Sequence, residues 1–165
     1  MFSWMQTLLD HRNHGLRRRP GRPEHQRPAY RPPIVAAIKA EEDRALFEEI
    51  AQSFRWTVSV VPSLTEAVAA MNADPAPLLV YDRDFDDVDW RTAIAQAVAQ
   101  HPGICVLLAS QVTDQYLWNE VVRHGGYDVV LKPFRREQLN RAVTFASNWM
   151  EWSARERARS LRAYK

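Results

Sequence analysis

The chain has 165 residues, a 46% apolar content and a formal net charge of +2 at neutral pH. This length fits one domain with tails, and no stretch of the sequence approaches the roughly 18 apolar residues that a membrane span needs. With a single cysteine, Cys105, the chain cannot form an internal disulfide. Because Cys105 lies inside an apolar run, we expect a buried thiol in a reducing compartment. The amino-terminal residues lack the basic segment of a signal peptide. We therefore expect a cytoplasmic protein without a membrane span.

The near-neutral net charge conceals a strong segregation along the chain. Residues 1–33 carry +5, residues 34–150 carry −6 and residues 151–165 carry +3. Arginine, proline and glycine dominate the first segment, a composition that cannot bury a core and that predicts a disordered basic arm over residues 1–33. Such an arm could contact nucleic acid or an anionic surface through phosphates, although most charge runs are simply solvated tails or linkers.

The chain becomes regular after the arm. The apolar run Ile34–Ile38 predicts a first strand, and apolar residues at helical spacing within Glu41–Phe54 predict a first helix. The β-branched and aromatic run Trp56–Val61 predicts a second strand. A capping box over residues 63–66 opens a second helix, Leu64–Asn72, because its serine and glutamate can bond the free amides of the first turn.

The middle of the chain repeats the alternation. Two prolines precede the apolar run Leu78–Tyr81, which predicts a third, buried strand that ends at Asp82. An acidic loop follows, and its spacing does not match a calcium-binding loop. Residues Trp90–Gln100 predict the third helix, and the apolar run Ile104–Ala109 predicts a fourth strand that is followed by Ser110.

The last elements complete five strand–helix units. A fourth helix is predicted over residues 113–122, and two glycines end it because glycine readily adopts the left-handed conformation. The run Tyr127–Leu131 predicts the fifth strand, and the last helix begins at about Glu137. Five alternations predict an α/β fold, a doubly wound, five-stranded parallel sheet in a flavodoxin-like three-layer sandwich.

Three of the predicted strands end in a polar residue that can act on an anion. Asp82 follows the third strand, Ser110 the fourth and Lys132 the fifth. In open parallel sheets the ligand site lies beyond the carboxyl ends of the strands, so these side chains are expected to converge on one edge. For Asp82 alone, capping of the following loop is the competing interpretation, since aspartate is a favoured turn residue.

These strand ends resemble those of the receiver domain of two-component response regulators. The motifs that carry the resemblance are LLVYD at 78–82, VLLAS at 106–110 and VVLKPF at 129–134, and the similarity covers about residues 34–148. The lysine–proline pair after the fifth strand is the most specific of them. The resemblance implies a receiver-like domain at 34–148, between the arm and a basic helical extension at 149–165.

The resemblance also implies a role for each matched residue. Asp82 would be the phosphoacceptor, a carboxylate nucleophile that takes a phosphoryl group from a phosphohistidine. Ser110 would contact a phosphoryl oxygen through its hydroxyl and act as the switch, and Lys132 would contribute positive charge to the same group. Pro133, expected to follow a cis peptide bond, would position the lysine.

The chain departs from the receiver pattern at the acidic pair. Receivers normally carry two adjacent acidic residues after the first strand, and these hold Mg²⁺ together with the phosphoacceptor. In this chain the corresponding positions are Ile38 and Lys39, so the pair is degenerate. We therefore expect Mg²⁺ binding to be weak or absent.

Three alternatives remain for the acidic residues that follow. Residues 41–43 are all acidic and lie where the first turn of a helix favours carboxylates through the helix dipole. Glu41 or Glu42 could instead reach back to a metal beside Asp82. Alternatively, Lys39 could neutralise Asp82 so that no metal binds.

A second departure affects the aromatic residue of the fifth strand. Receivers often carry an aromatic three residues before the lysine, where it is coupled to the hydroxyl switch. This chain has Val129 there, with Tyr127 two residues earlier and on the same face if strand periodicity applies. The usual coupling is therefore not expected.

The resemblance predicts a single-domain response regulator-like protein that accepts a phosphoryl group on Asp82 in a histidine-to-aspartate phosphorelay. Its expected partners are a sensor histidine kinase or a phosphotransfer protein, and its output would pass through protein contacts. We do not expect an enzyme beyond self-catalysed phosphoryl transfer.

The alternatives are a phosphorylation-independent pseudo-receiver that serves as an interaction module, and binding of an anionic surface or nucleic acid through the arginine-rich ends. Nucleic acid is the less expected partner, because no DNA-binding module is recognisable.

Aromatic residues on two predicted helices suggest a partner surface. Tyr116 and Trp118 lie on the fourth helix, and Trp149 and Trp152 lie on the extension of the last. Because tryptophan is enriched at interface hot spots, these residues predict a homodimer through the fourth and last helices. Packing of Trp118 into the core is the competing interpretation.

Overall fold

The computed structural model of the chain describes residues 31–163, so most of the predicted arm at 1–33 lies outside the described residues. Every predicted strand and helix is present, with ends within two residues of those expected. The elements are β1 (Ile34–Ala37), α1 (Glu41–Phe54), β2 (Val58–Val61), α2 (Leu64–Ala73), β3 (Leu78–Asp82), α3 (Trp90–Gln100), β4 (Cys105–Ser110), α4 (Gln115–Arg123), β5 (Asp128–Leu131) and α5 (Arg136–Ala163). Within residues 31–163, no helix combines the length and the apolarity that crossing a membrane requires.

The five strands form one parallel sheet in the order β2-β1-β3-β4-β5, which confirms the predicted fold class. Helices α1 and α5 contribute the core on one face, while α2, α3 and α4 contribute the core on the other. The buried strands alternate between the two cores: Leu78 and Val80 of β3 face the first, and Leu79 and Tyr81 face the second. Burial on both faces explains why β3 and β4 are apolar along their whole length.

Local chemistry at the helix ends agrees with the sequence. The Ser63 hydroxyl accepts a hydrogen bond from the Glu66 amide at 3.1 Å and starts α2. Gly126, just after α4, lies so close to the helix that an added Cβ would sit 2.5 Å from a Val121 methyl carbon. A side chain at this position would therefore require Val121 to shift.

Helix α5 continues without a break from Arg136 to Ala163, so the predicted boundary between the domain and its extension falls inside a helix. Packing against the domain reaches Trp149 and Met150, since Met150 is buried in the core and Trp149 packs against it. Beyond them the helix is mostly exposed, and Trp152 is 58% exposed. The extension of α5 therefore lies outside the hydrophobic core.

The prediction that Tyr127 and Val129 share a face is wrong. Tyr127 precedes β5, packs against the core on the α5 side and lies 5.4 Å from Trp149 between ring centroids. Val129 belongs to the core on the opposite side of the sheet. The two-residue periodicity applies only inside a strand, and β5 begins one residue after the tyrosine.

Asp128 is a partly buried acid at the start of β5. Burial raises the pKa of its carboxyl to about 6, although the Val129 amide, at 2.8 Å, and the Trp118 side chain both donate hydrogen bonds that act in the opposite direction. The same bond to Trp118 supports the interpretation that this tryptophan faces the domain rather than a partner. Asp128 therefore lowers the stability of the folded chain at neutral pH.

We expect Asp128→Asn to raise the free energy of unfolding at pH 7.5 by about 1–3 kcal/mol, because the amide has no charge to desolvate. The folded carboxyl binds its proton more tightly than the unfolded one, so the stability of the wild type should fall as pH rises from about 4 to 6. The difference between wild type and Asp128→Asn should therefore grow over that range and stay constant above it. Urea unfolding at several pH values measures this. Asp74→Asn, on an exposed acid, is the control, and equal pH profiles for wild type and Asp128→Asn would contradict the assignment.

Candidate functional site

The predicted strand-end residues meet at the carboxyl edge of the sheet. Asp82 ends β3, Ser110 ends β4, and Lys132 follows β5 with its backbone amide bonded to the Ser110 carbonyl at 2.8 Å. All three are buried, with exposed fractions of 0%, 1% and 5%. Parallel pairing of the three strands places their ends side by side, as the sequence predicted.

The Lys132 ammonium is the centre of the site. Its Nζ lies 2.9 and 3.0 Å from the two carboxylate oxygens of Asp82, 2.9 Å from Asp84 and 3.0 Å from Asp43. Because β4 lies between β3 and β5, the lysine reaches Asp82 across the end of β4, where the last residue is the small Ser110. The Lys132–Pro133 peptide is cis, as the resemblance implied.

The carboxylates hold the lysine in its charged form. Burial alone would lower the pKa of Lys132, but hydrogen bonds to Asp84, Asp82 and Asp43 outweigh it and raise that pKa above its ordinary value. For Asp84, burial would raise the pKa, but the hydrogen bond and the charge of Lys132 outweigh it and lower that pKa. The site is therefore a network of ion pairs at neutral pH.

Asp82 also fixes the two loops that border the site. Its Oδ2 accepts the Lys39 amide at 3.1 Å, and its Oδ1 accepts the Asp84 amide at 3.0 Å. The second bond is a turn in which an aspartate side chain bonds the backbone two residues on. Asp82 therefore both caps the loop that follows it and belongs to the cluster of residues at the strand ends.

The loop after β1 presents a backbone amide, rather than a carboxylate, to Asp82. The Arg44 guanidinium donates to the carbonyls of Ile38 and Lys39, at 3.1 and 2.6 Å, and so fixes this loop. The Lys39 ammonium pairs with exposed Asp86 across the two loops. Direct charge neutralisation of Asp82 thus comes from Lys132, and Lys39 contributes an amide.

Ser110 is bonded by two donors. The Val112 amide lies 3.2 Å from its Oγ, and Nη1 of Arg83, the residue after Asp82, lies 3.4 Å away. A hydroxyl oxygen has two lone pairs and one hydrogen, so these bonds leave the hydroxyl hydrogen available for donation. Ser110 can therefore donate to a further acceptor at this edge of the sheet.

Sequence reasoning missed several residues of the site. Glu41 and Glu42 are exposed, and the acidic residue of the first turn that reaches Lys132 is Asp43. Asp84 appeared in the sequence only as part of an acidic loop, although its position two residues after Asp82 is the spacing of an aspartate turn. Arg83 carried no signal, because nothing in the sequence says where an arginine side chain will point.

The residues present do not fit an ordinary Mg²⁺ site. Mg²⁺ needs carboxylate oxygens close together, but the carboxylates here surround an ammonium, and buried Ile38 and basic Lys39 stand where the acidic pair would be. Across the described part of the chain, no group of three or more His, Cys, Asp or Glu side chains is placed to hold a metal ion.

Comparisons with known proteins agree with the fold. No protein-family model matches the chain. The C4-dicarboxylate transport transcriptional regulatory protein DctD of Rhizobium meliloti is 28% identical over 102 residues, which are 60% of this chain and 22% of that protein. Chemotaxis protein CheY4 of Vibrio cholerae superimposes with a TM-score of 0.66 at 15% identity, covering 71% of this chain and 99% of that one. The receiver domain of sensor histidine kinase PA1611 of Pseudomonas aeruginosa, which has a magnesium ion in its active site cleft, gives 0.62 at 18% identity, covering 72% and 99%.

The chain therefore has the fold of CheY-like receiver domains, and the resemblance predicted from the sequence motifs is confirmed at the level of the fold. The match to DctD spans less than a quarter of that regulator, so the activity and partners of a whole regulator come to this chain only as proposals.

We expect Lys132→Met to destabilise the domain by about 3–5 kcal/mol at pH 7, because it leaves buried Asp82 without its cation. The loss should be smaller at low pH: the Asp84 contribution exists above the unfolded pKa of aspartate and disappears as pH falls through the lower, folded value. Chemical unfolding from pH 3 to 8 measures both effects. Lys39→Met is the control, since its exposed ion pair is worth at most about 1 kcal/mol, and equal losses for the two variants would contradict the central role of Lys132.

Proposed function

We propose that this chain is a receiver-type signalling protein in which Asp82 accepts a phosphoryl group in a histidine-to-aspartate phosphorelay. The observation that supports it best is the contact of the Lys132 ammonium with both oxygens of Asp82, beside the Ser110 hydroxyl. A nucleophilic carboxylate, a hydroxyl donor and a fixed cation are the groups that phosphoryl transfer needs, because positioning and charge stabilisation supply most of its catalysis.

The proposed transfer uses groups already in contact. An Asp82 oxygen attacks the phosphorus of a phosphohistidine, the bond from phosphorus to the imidazole nitrogen breaks, and that nitrogen keeps the electron pair. Lys132 remains within reach of both oxygens of Asp82 and stabilises the charge on the transferred group. Ser110 donates its hydroxyl hydrogen to a phosphoryl oxygen. The chain therefore acts as a phosphoacceptor and not as a turnover enzyme.

A pseudo-receiver is the second candidate, and the bonding of Asp82 favours it. This carboxylate is fully buried, and each of its oxygens accepts a backbone amide in addition to the ammonium. Attack would require at least one of these bonds to break and the loops joined by Lys39 and Asp86 to separate. In a pseudo-receiver the same bonds would serve only to hold the edge of the sheet as an interaction surface.

The partners follow from the proposed chemistry. A sensor histidine kinase or a phosphotransfer protein in the cytoplasm would supply the phosphoryl group, and output would pass through protein contacts.

The two arginine-rich ends of the chain could also bind an anion. The amino-terminal arm lies mostly outside the described residues, and Arg155, Arg157 and Arg159 of α5 are exposed. No contact in the described residues favours nucleic acid over solvent for these arginines, so nucleic acid is not proposed.

Incubation with acetyl phosphate, followed by intact mass measurement, tests phosphorylation. We expect one phosphoryl group on the wild type and none on Asp82→Asn, because the amide oxygen is a poor nucleophile. The matched control is Asp87→Asn, which changes an exposed aspartate of the same loop and should leave phosphorylation intact. A phosphoryl group on Asp82→Asn would disprove the assignment of Asp82 as the phosphoacceptor. The wild type is also incubated with a phosphohistidine protein as a second donor. If neither donor modifies the wild type, the result favours the pseudo-receiver.

We also propose that Mg²⁺ binds weakly or not at all. Titration of Mg²⁺ while tryptophan emission is followed, with buried Trp90 at the start of α3 as the expected reporter, should show no saturation below about a millimolar. Lys39→Asp should strengthen binding because it restores one carboxylate of the acidic pair. Lys39→Met separates the loss of a positive charge from the gain of a ligand. Submillimolar saturation of the wild type would overturn the proposal.

A homodimer through α4 and α5 is proposed on the exposed aromatic residues of these helices. Tyr116 is 68% exposed and Trp152 is 58% exposed, whereas Trp118 and Trp149 pack against the two cores. Trp152→Ala should shift a dimer towards monomer in sedimentation without changing the thermal midpoint, since it removes a large apolar contact. Ser153→Ala, on the same helical turn, is the control. A wild type that stays monomeric at high concentration would exclude the dimer.

A further inference from the structure

Arg83 is a basic residue of the site that the receiver motifs do not account for. It follows Asp82 directly, is partly buried, and places Nη1 3.4 Å from the Ser110 hydroxyl oxygen. That distance is long for a hydrogen bond between these groups. The guanidinium is therefore near the switch hydroxyl but weakly engaged by it.

The side chains around Asp82 carry too little positive charge to balance an added anion. Three carboxylates, those of Asp43, Asp82 and Asp84, share the single ammonium of Lys132. A fourth carboxylate nearby, that of Asp86, is paired with Lys39. A phosphoryl group on Asp82 would add negative charge to this acidic cluster. Because the residues do not fit Mg²⁺, the required positive charge has to come from the protein.

Arg83 is placed to provide it. The guanidinium stays charged at every accessible pH, and its planar donors match the oxygens of a phosphoryl group. Its neighbour Ser110 is the residue whose hydroxyl would meet the same oxygens, so the guanidinium already lies beside one of the groups that would contact the phosphoryl group. The Val112 amide continues to hold the Ser110 oxygen if the arginine leaves.

We propose that Arg83 is a phosphoryl-binding residue of this site, which turns from Ser110 to the oxygens of a phosphoryl group on Asp82 and supplies the charge that a divalent cation provides elsewhere. This inference rests on the proposed function, because it concerns the same anion site. It predicts that the site binds a phosphoryl group without added metal.

Beryllium fluoride, which coordinates a carboxylate oxygen and imitates a phosphoryl group, is the probe. In buffer freed of divalent metals with a chelating resin, we expect calorimetry to detect its binding to the wild type. Arg83→Met should bind at least about tenfold more weakly, as loss of a charged hydrogen bond implies. Arg83→Lys should retain part of the affinity. Arg141→Met, which removes the same charge from an exposed position on α5, should match the wild type.

Arg83→Gln distinguishes phosphoryl binding from mere positioning of Ser110. Glutamine can still donate to the serine but carries no charge, so the Arg83→Gln variant should bind beryllium fluoride as weakly as Arg83→Met. If Arg83→Met does not fold, Arg83→Gln takes its place. Wild-type affinity in Arg83→Gln, or wild-type binding that requires added Mg²⁺ or never occurs, would overturn the inference. Binding of beryllium fluoride without phosphorylation by any donor would instead refute the proposed function and leave the role of Arg83 standing.

Discussion

The buried ion pair between Lys132 and Asp82 is the interaction on which the edge of the sheet depends. Burying a lysine and a carboxylate is costly, and the cost is recovered only when the geometry is good and the remaining polar atoms are bonded. Both conditions are met, because Asp43 and Asp84 also contact the ammonium and two amides bond the Asp82 oxygens. The pair joins the ends of β3 and β5 across β4 and ties the start of α1 to the same point.

The same pair constrains what the site can do. A carboxylate that is bonded at every oxygen is well ordered, which suits a nucleophile that must be positioned, but it is also shielded from an incoming donor. The resting geometry is therefore the same whether Asp82 accepts a phosphoryl group or has a purely structural role. The two roles differ in whether the loops that carry Lys39 and Asp86 open. Three carboxylates around one ammonium make the balance of charge, as well as the nucleophile, a defining feature of this site.

The architecture was predictable because it depends on local patterns. Apolar runs on β3 and β4 mark strands buried on both faces, helical spacing marks the amphipathic helices, and the lysine–proline pair marks the end of β5. Parallel pairing then brings the strand ends together, so the convergence of Asp82, Ser110 and Lys132 followed from element order alone. The period-two argument failed at Tyr127 because that residue lies outside the strand to which the period applies.

The sequence by itself thus determined the strands, the helices, their parallel order and the three residues at the strand ends. Only the tertiary structure decided that Asp43, rather than Glu41 or Glu42, reaches Lys132, that the Lys39 ammonium pairs with Asp86, and that Arg83 lies beside Ser110. The physical reason is that secondary structure follows from the periodicity of neighbouring residues, whereas the partner of a long charged side chain depends on distances between elements far apart in the chain. Those distances exist only after the sheet and its helices have packed.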